Sequence, residues 1–409
     1  MEPVRIQRIA AGGDGVGRLA DGRTVFVPRA APGDLVEITD VRLHARFARA
    51  RVGRLVEPGP GRVEPRCRHY TRDDCGGCQL QHLGEESQRA ARRTIVGDAL
   101  RRLAKLDLPD PALEPTLRSW GYRTRISLAV DTGGHAGFHP VDRPDTIFDL
   151  EQCEIAAPEL NRLWQKVRAA RTAWPAALGQ IVLRLGRDGG VHVVFKGPVK
   201  PAAEMLQCLG AGTAILCWWQ PAEGRARLLT AGQGSRSDPA AAPATVFEQV
   251  NPTMGDRVRV HALRELGDVS GRHVWDLYAG IGEASARLSE GGASVESVER
   301  EPDAVAFAER AGPSRGIRRH VGRVEEWVTR LQLPAKVLTN PPRTGMAAGV
   351  VTAIMAARPE TVVYVSCDPA TLARDLARFK ANYRVASVTA FDLFPQTAHV
   401  ETVVRLDQT

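Results

Sequence analysis

The sequence lacks several features that would place it in or across a membrane or outside the cell. No apolar run approaches the roughly 20 residues that a membrane-spanning helix needs. The first ten residues, MEPVRIQRIA, contain no apolar segment of the kind found in secretory signal peptides. Cysteine is sparse and odd in number, with seven in 409 residues, which argues against a disulfide framework. We therefore expect a cytoplasmic chain without membrane association, whose cysteines serve as ligands, nucleophile or core residues.

Lysine is also scarce, so that arginine carries nearly all of the positive charge. The formal net charge is +8, which suits a polyanionic partner such as RNA. The codon bias of a GC-rich genome explains the arginine equally well, because the chain is also rich in alanine. Since the length exceeds what one hydrophobic core usually serves, we expect two or three domains.

Residues 1–57 have the pattern of a small β-barrel. In its last β-rich run, Ala48 and Ala50 alternate with Phe47, Arg49 and Arg51, which predicts an apolar interior and a basic, aromatic exterior. Such an exterior suits single-stranded nucleic acid, although a solvated strand face gives the same pattern. The four predicted runs, separated by turns rich in glycine and proline, are Val4–Ile9, Thr24–Val27, Leu35–Val41 and Arg46–Leu55.

A cysteine motif follows a linker that is rich in proline and glycine, at residues 57–65. Cys75 and Cys78 are joined by two glycines, which allow both sulfurs to face one centre, and Cys67 lies upstream. Cys153 is the candidate for a fourth ligand. One tight pair with two dispersed cysteines favours an iron–sulfur cluster over zinc, although His69 or His82 could replace a sulfur and keep zinc open. The remaining pair, Cys208 and Cys217, is predicted to lie in the core.

The middle of the chain has a mixed α/β pattern. A long amphipathic helix is predicted at Glu85–Leu106, with an apolar stripe at Ile95, Ala99, Leu103 and Leu106 and with Arg92 among its outer arginines. Beyond it we expect a hairpin that turns at Asp131–Gly134, a helix at Leu160–Ala170, strands at Ile181–Leu185 and Val191–Phe195, and a polar loop at Gly232–Pro243.

The last third of the chain alternates strand and helix. A strand that contains Asp276 runs into Tyr278, Gly280 and Gly282, and glycines at such a turn let the backbone approach a ligand. Glu299 ends the next strand, the usual place for a carboxylate that binds ribose hydroxyls. Because the motif is DxxxGxG, it suits a nucleoside without a pyrophosphate, as in S-adenosylmethionine (SAM). A third strand ends at Asn340, before a double proline.

Cys367 follows a fourth, apolar strand and precedes a helix predicted from Thr371 onward. Ligands bind at this edge of open α/β sheets, and a helix N-terminus lowers the pKa of a nearby thiol. Glu401 begins the last strand, and an antiparallel orientation of that strand would bring it to the same edge.

These motifs in combination resemble those of the RNA uridine-5 methyltransferases, in particular the TRAM-bearing, iron–sulfur branch that methylates 23S ribosomal RNA. The resemblance covers nearly the whole chain. The motifs that carry it are the N-terminal barrel, C-x7-CGGC with Cys153, FEQVNP, DLYAGIG, NPPRTG, SCDPATLARD and FPQTAHVET.

The resemblance implies a role for each matching residue. Cys367 matches the nucleophile and Glu401 the general base. The matching SAM contacts are Gln249, Tyr278, Glu283, Glu299 and Asn340, to which the turn pattern adds Asp276 and Gly280. The matching ligands of a [4Fe–4S] cluster are Cys67, Cys75, Cys78 and Cys153.

The expected fold class is α/β. We expect an OB-like TRAM barrel at residues 1–57, a central α+β iron–sulfur domain at 58–245, and a Rossmann-like SAM-dependent methyltransferase domain at 246–409. The expected partner is RNA, ribosomal RNA first and transfer RNA second, and the expected state is a monomer. Three alternatives stay open: a tRNA uracil-C5 enzyme, an exocyclic amino-group methylase, and a catalytically silent RNA-binding protein in which Asn340 and Glu283 depart from the family pattern.

Overall fold

The computed structural model describes residues 3–186, 189–210, 215–230, 246–311 and 315–409, and the predicted loop at Gly232–Pro243 lies outside these ranges. The strands are β1 (Pro3–Arg5), β2 (Arg8–Ile9), β3 (Gly15–Arg18), β4 (Thr24–Val27), β5 (Leu35–Leu43), β6 (Phe47–Glu57), β7 (Ala112–Glu114), β8 (Arg125–Val130), β9 (Ala136–Gly137), β10 (Gln180–Leu185), β11 (Val191–Lys196), β12 (Ile215–Gln220), β13 (Arg227–Thr230), β14 (His273–Leu277), β15 (Ser294–Glu299), β16 (Ile317–Val321), β17 (Lys336–Thr339), β18 (Thr361–Ser366), β19 (Tyr383–Phe391) and β20 (Glu401–Gln408). The helices are α1 (Arg68–Arg72), α2 (Glu85–Arg102), α3 (Pro158–Ala169), α4 (Ala203–Cys208), α5 (Pro252–Leu266), α6 (Glu283–Glu290), α7 (Pro302–Ala311), α8 (Val324–Trp327), α9 (Ala348–Ala357) and α10 (Pro369–Phe379).

The chain forms two compact units. The larger unit contains Met1–Glu64, Gln79–Leu117 and Thr253–Thr409, and the smaller unit contains Pro65–Cys78 and Arg118–Pro252. The division into domains at residues 57 and 245 stays a prediction. None of the helices in the described ranges combines the length and the apolar character needed to cross a membrane.

The N-terminal sheet of the larger unit closes into a barrel. Its strand order is β1-β5-β6-β4-β3-β2, so β1 and β2 form its two edges. Only Ile6 and Gln7 separate these strands, and their backbone N–H groups bond to Asp34 and Val16 on opposite sides. Ala48 and Ala50 are buried inside and Arg49 is exposed, as predicted, because side chains alternate along a strand. The sequence prediction missed β3.

Helix α2 begins at Glu85 as predicted but ends at Arg102, four residues early. The predicted apolar stripe is wrong at Leu103, which is 54% exposed. The predicted outer position of Arg92 is also wrong, because its side chain is fully buried beside Asp392. An arginine can occupy the core when a buried carboxylate and hydrogen bonds compensate its charge.

An eight-stranded sheet organises the rest of the larger unit. Its order is β16-β15-β14-β17-β18-β20-β19-β7, and β14 to β18 run parallel. Val362 and Tyr364 of β18 pack in one core cluster with α9 and α10, whereas Val363 and Val365 pack in another with α5. Because both faces are covered, β18 is a continuous apolar run, which is typical of parallel strands.

The smaller unit contains a six-stranded sheet of order β13-β12-β11-β10-β8-β9. Helix α3 packs on it through Leu160, Leu163, Trp164 and Val167. The predicted hairpin turn, the α3 helix and the β10 and β11 strands are confirmed within one or two residues. Cys217 is buried as predicted, whereas the core prediction for Cys208 is wrong because that residue is exposed.

Candidate active site

One edge of the eight-stranded sheet gathers most of the predicted site residues. Because β14, β15, β17 and β18 run parallel, the residues that end or follow them share that edge. From β14 the chain adds β15 and β16 on one side of the sheet and later β17 and β18 on the other, so the strand order reverses at β14. Ligands bind open α/β sheets at such a switch point. The residues brought to this edge are Tyr278, Gly280, Glu299, Asn340 and Cys367.

Glu401 reaches the same edge from the opposite direction. Strand β20 pairs antiparallel with β18, and Thr402 lies opposite Ser366. One position further along, Glu401 faces Cys367 across the ends of the two strands. The two side chains are close enough that the negative charge of Glu401 raises the pKa of the Cys367 thiol. The predicted condition that the last strand be antiparallel is therefore confirmed.

Glu401 is a buried carboxylate, and one of its oxygens makes no hydrogen bond to the described residues. Its side chain is 1% exposed, and its Oε2 atom has no hydrogen-bond partner among the described residues. Burial raises the pKa of Glu401 to about 7, although the nearby Arg343 guanidinium acts in the opposite direction. A carboxyl group with this pKa is close to half-ionised at neutral pH, which suits a group that accepts a proton and later returns it to solvent.

The thiol of Cys367 is free and half-buried. Burial, followed by the negative charge of Glu401, raises the pKa of Cys367 to about 11. The predicted lowering by the helix N-terminus is therefore wrong. Asp368 caps that helix, because its Oδ1 accepts from the backbone N–H groups of Ala370 (3.0 Å) and Thr371 (2.9 Å). The N–H groups that would stabilise a thiolate are thus engaged by the cap.

The turn after β14 has an unusual backbone. Tyr278, Gly280 and Gly282 all have positive φ, at 60°, 57° and 76°. At Gly282 an added Cβ would also lie 2.9 Å from the Cβ of Ala308, so a side chain does not fit there. For tyrosine a positive φ is a strained conformation, and such strain is concentrated at functional sites.

Glu299 stabilises this turn. Its Oε2 accepts from the Gly280 backbone N–H at 2.9 Å, and its Oε1 accepts from that of Glu301 at 2.8 Å. The carboxylate therefore stands at the predicted place beside the glycine turn, where it is held in position by backbone groups.

Two other predicted cofactor contacts bind the protein itself. Asp276 is buried, accepts a hydrogen bond from the Ser285 hydroxyl, and has a pKa that burial raises to about 6. Glu283 begins α6 and forms an ion pair with Arg259. The negative charge of Glu283, which departs from the family pattern, is thus compensated within the fold.

Tyr278 and Asn340 have groups available for a ligand. The Tyr278 hydroxyl is buried and has no hydrogen-bond partner among the described residues. Burial raises the pKa of Tyr278, so the hydroxyl stays a neutral donor. Asn340 is exposed, and its backbone N–H donates to the Leu277 carbonyl at 3.2 Å, next to the glycine turn. Both residues follow neighbouring strands at the same sheet edge, and polar groups of this kind fit a polar nucleoside ligand.

Gln249 belongs to the smaller unit, and its contact with SAM stays a prediction. The segment that contains it is held to the sheet of that unit. Arg184 donates to the Val246 carbonyl at 3.2 Å and forms an ion pair with Glu248, and the Thr124 backbone N–H donates to the Val250 carbonyl at 2.8 Å.

The predicted cluster ligands Cys67, Cys75, Cys78 and Cys153, here called the cysteine group, all lie in the smaller unit. Cys67, Cys78 and Cys153 pack in one apolar cluster together with Tyr70, Tyr122 and Ile155. The Gly77 N–H donates to the Cys75 sulfur at 3.4 Å. The side chains of the described residues nevertheless form no ready-made metal site of three or more ligands.

Cys153 is held in a defined loop. Its backbone N–H donates to the Asn161 side-chain oxygen, and its carbonyl accepts from the Asn161 side-chain nitrogen, both at 3.0 Å. Burial raises the pKa of the Cys153 thiol, whereas Arg123 and the N–H groups of Ile155 and Ala156 act in the opposite direction. Positive charge and N–H donors around a sulfur are what a thiolate ligand requires.

The two histidines that kept zinc open have different surroundings. His69 has Nδ1 2.6 Å from Asp73, and its Nε2 accepts from the Glu151 backbone N–H at 3.0 Å, so both ring nitrogens have partners. His82 belongs to the larger unit, where burial lowers its pKa to about 3. Because both of its ring nitrogens are engaged, His69 is disfavoured as a replacement ligand for the cysteine group.

Arg343 was not among the predicted site residues. It lies in the segment after β17, its guanidinium is 3.5 Å from His399 Nε2, and its charge acts on both Cys367 and Glu401. The available signal was its place directly after the double proline that follows Asn340, because that segment starts at the ligand-binding edge.

Comparison with known proteins gives matches over the whole chain. Residues 316–409 match the family model described as tRNA (Uracil-5-)-methyltransferase, and residues 2–52 match the TRAM domain. A Thiobacillus denitrificans protein named 23S rRNA (uracil(1939)-C(5))-methyltransferase RlmD is 32% identical over 97% of this chain and 97% of its own length. A Nitrosospira multiformis protein of the same name is 30% identical over 99% and 98%.

A solved structure has the same fold. It is the crystal structure of Pyrococcus abyssi tRNA (uracil-54, C5)-methyltransferase in complex with S-adenosyl-L-homocysteine, with a TM-score of 0.75 and 23% identity. The match covers 99% of this chain and 100% of that chain. The predicted α/β methyltransferase fold with an N-terminal TRAM barrel is thus confirmed.

Proposed function

Since the chain belongs to the SAM-dependent RNA uracil-C5 methyltransferase family, we propose that it methylates a uracil of 23S ribosomal RNA with Cys367 as nucleophile and Glu401 as base. The observation that carries this proposal is the pairing of a thiol with a buried carboxylate whose Oε2 has no partner among the described residues. A carboxylate is costly to bury in this state, so its place beside a thiol needs a chemical reason.

The reaction requires that C5 of uracil become nucleophilic. The Cys367 thiolate adds to C6, and the electron pair of the C5–C6 double bond moves toward the C4 oxygen to give an enolate. When bound, SAM supplies the methyl group that C5 then accepts. Glu401 takes the proton that remains on C5, the double bond forms again, and the sulfur of Cys367 leaves C6 as a thiolate.

The raised pKa values of Cys367 and Glu401 mean that the order in which these two groups ionise is part of this proposal. The reaction needs a thiolate at Cys367 and later an ionised carboxylate at Glu401, and each negative charge disfavours the other. Formation of the sulfur–carbon bond removes the charge from the thiolate. Glu401 then ionises more readily, at the stage when the C5 proton must be removed.

The residues proposed to hold SAM lie around the glycine turn. Gly280 would allow close approach of the ligand, Glu299 would accept hydrogen bonds from the ribose hydroxyls, and the Tyr278 hydroxyl and Asn340 amide would supply further polar contacts. We assign Gln249 to the same ligand from the family motif. For Asp276 and Glu283, whose carboxylates bond to Ser285 and Arg259, we propose a contribution through the shape of the turn.

RNA is the proposed partner. The two relatives named 23S rRNA methyltransferases support ribosomal RNA, and the exposed Arg49 with Phe47 on β6 supplies a basic, aromatic strand face for an unpaired segment. Since C5 and C6 of a stacked base are inaccessible to the site, the target uracil must leave the stack. A cytoplasmic location, where ribosomal RNA is modified, and a monomeric state are part of the proposal.

We also propose that the cysteine group binds a [4Fe–4S] cluster. The N–H donor to Cys75, the positive charge beside Cys153 and the apolar surroundings support four thiolate ligands. The absence of a ready-made site in the described residues is compatible with ligands that converge when metal binds. Such a cluster would fix α1 and the Cys153 loop.

Tritium release from uracil C5 tests the methylation proposal. Ribosomal RNA fragments and tRNA transcribed with [5-³H]uracil are incubated separately with protein and SAM. We expect SAM-dependent tritium release from a ribosomal fragment and 5-methyluridine in its digest. Release from tRNA alone would contradict the assignment to ribosomal RNA. A methylated amino group in the digest, or SAM binding without any methyl transfer, would contradict C5 methylation itself.

A further inference from the structure

The segment that leads to Glu401 is clamped by a helix more than 300 residues upstream. We call residues 392–400, which join β19 to β20, the base loop. Arg92 of α2 donates from Nε to the Thr397 carbonyl at 3.0 Å and from Nη2 to the Phe394 carbonyl at 3.4 Å. Its Nη1 lies 3.3 Å from Asp392. One guanidinium therefore contacts the base loop at three separate residues.

Gln88, one helical turn before Arg92, fixes the centre of the loop. Its Oε1 accepts from the Gln396 backbone N–H at 3.0 Å, and its Nε2 donates to the Gln396 side-chain oxygen at 2.9 Å. Gln88 Oε1 also accepts from Arg92 Nη2 at 3.1 Å, so the contacts of both residues with the base loop form one hydrogen-bond network. From the preceding segment, the N–H groups of Gln79 and Leu80 donate to the Gln396 carbonyl.

Gln396 adopts a strained backbone conformation, with φ of 69° and a buried side chain. A non-glycine residue in the left-handed region persists only where its surroundings determine it strongly. Here the surroundings are the bonds from Gln88, Gln79 and Leu80. The loop therefore has one conformation that these groups specify.

The clamp, by which we mean Arg92 and Gln88 with their hydrogen bonds to the base loop, lies in a buried part of the fold. Arg92 is fully buried and Asp392 is 3% exposed. An apolar cluster that includes residues of the barrel, of α2 and of the base loop flanks it: Ile9, Ala31, Leu83, Ala91, Ile95 and Ala398. Hydrogen bonds in such surroundings are stronger than in water, and a buried ion pair gives specificity more readily than stability.

We propose that Arg92 and Gln88 are positioning residues for Glu401: through the base loop they hold the carboxylate where it can reach the C5 proton. The inference rests on the proposed function and adds residues outside the catalytic edge to it. Cys367 follows β18 and is not part of the base loop. The clamp therefore serves proton removal and not formation of the sulfur–carbon bond.

This separation predicts a selective kinetic defect. Formation of the adduct depends on Cys367 and its methylation on SAM, whereas release of the methylated RNA depends on Glu401. In Arg92→Lys, the charge opposite Asp392 is kept but a single ammonium cannot serve Thr397, Phe394 and Gln88 together. We expect adduct formation to change little and release to slow by about 10- to 100-fold, as for a catalytic group displaced by about 1 Å.

The test measures both steps in single-turnover reactions with the full-length protein and [5-³H]uracil RNA. Denaturing gels follow the covalent protein–RNA adduct, and tritium release follows removal of the C5 proton. Arg92→Lys and Gln396→Gly are compared with Arg89→Lys, which alters a half-buried arginine of the same helix that pairs with Glu85. Glycine tolerates the backbone of residue 396 but loses the side-chain oxygen that accepts from Gln88 Nε2, while the backbone N–H bond to Gln88 Oε1 is kept.

We expect adduct to accumulate in the first two variants and not in Arg89→Lys. Equal slowing of both steps, or no slowing, would overturn the inference. Hydrogen exchange of residues 392–400 gives a second readout: faster exchange in Arg92→Lys supports the clamp, and unchanged exchange overturns it. If the wild-type protein releases no tritium, the proposed function fails, and exchange still decides whether Arg92 fixes the loop.

Discussion

The sheet edge that contains Cys367 and Glu401, in the larger unit, and the cysteine group of the smaller unit surround their buried reactive groups differently. At the edge, Glu401 is almost completely buried, and its Oε2 has no partner among the described residues. In the cysteine group, backbone N–H groups face the sulfurs of Cys75 and Cys153, and Arg123 adds positive charge. At the edge, burial outweighs the attraction between Arg343 and the Glu401 carboxylate, whereas around Cys153 two N–H donors and a positive charge oppose the effect of burial.

The difference indicates two kinds of chemistry. A base that must take up and lose a proton near neutral pH needs a raised pKa, which burial without a partner provides. A ligand that must stay deprotonated needs donors and positive charge around it. Burial alone therefore does not identify a site's role, and the partners of the buried atoms do.

Substitution of Cys367, the proposed nucleophile, gives the largest expected effect. Cys367→Ala should reduce methylation by at least about 10⁴-fold, because no other thiol at the edge can add to C6. SAM binding, measured by calorimetry, should stay close to wild type because the glycine turn is unchanged. Cys208→Ala, which alters an exposed cysteine, is the matched control and should retain full activity. Substantial activity in Cys367→Ala would exclude the proposed mechanism.

A ligand of the cysteine group gives the next effect. Cys78→Ser, after anaerobic purification, should lose nearly all bound iron and sulfide and the visible absorbance of the cluster, because serine is a poor ligand for it. The melting temperature of this variant should fall, since ligand bonds contribute to folding. Cys208→Ser should keep both iron and melting temperature. A colourless wild-type protein that contains zinc would contradict the cluster assignment.

The smallest expected effect concerns stability and pH. The pKa of Glu401 rises from 4.5 to about 7 on folding, so ionisation of this group destabilises the folded state. Its favourable contribution is complete below pH 4.5 and is lost as pH rises through about 7. Glu401→Gln cannot ionise, and its stability relative to wild type should increase by about 3 kcal/mol between pH 4.5 and pH 8. Melting curves across this range check the trend, and a difference independent of pH would contradict it.

Local patterns predicted well which residues the parallel strands bring to one sheet edge. Cys367 and Asn340 directly follow the strands expected to precede them, and Glu299 ends its strand, because each strand is a short apolar run with a clear stop. Parallel pairing then brings their ends together. The placement of Glu401 depended on the direction of β20, which a local pattern does not contain.

Burial and pKa shifts that depend on contacts between distant segments could not be predicted from local sequence patterns. Arg92 has the pattern of a solvated helix residue, and its burial depends on Asp392 and on carbonyls about 300 residues away. The thiol of Cys367 was expected to be acidic from its helix alone. Its raised pKa results from burial and from Glu401, which becomes its neighbour only in the folded sheet.

Direct identification of the covalent intermediate tests the central claim, the division of labour between Cys367 and Glu401. Glu401→Gln is incubated with SAM and a ribosomal RNA fragment, denatured, digested with nuclease and protease, and analysed by mass spectrometry. We predict that the peptide containing Cys367 carries a nucleotide of methylated uracil, because methyl transfer precedes the blocked proton removal. Normal turnover by this variant, or an adduct at a different residue, would contradict the account.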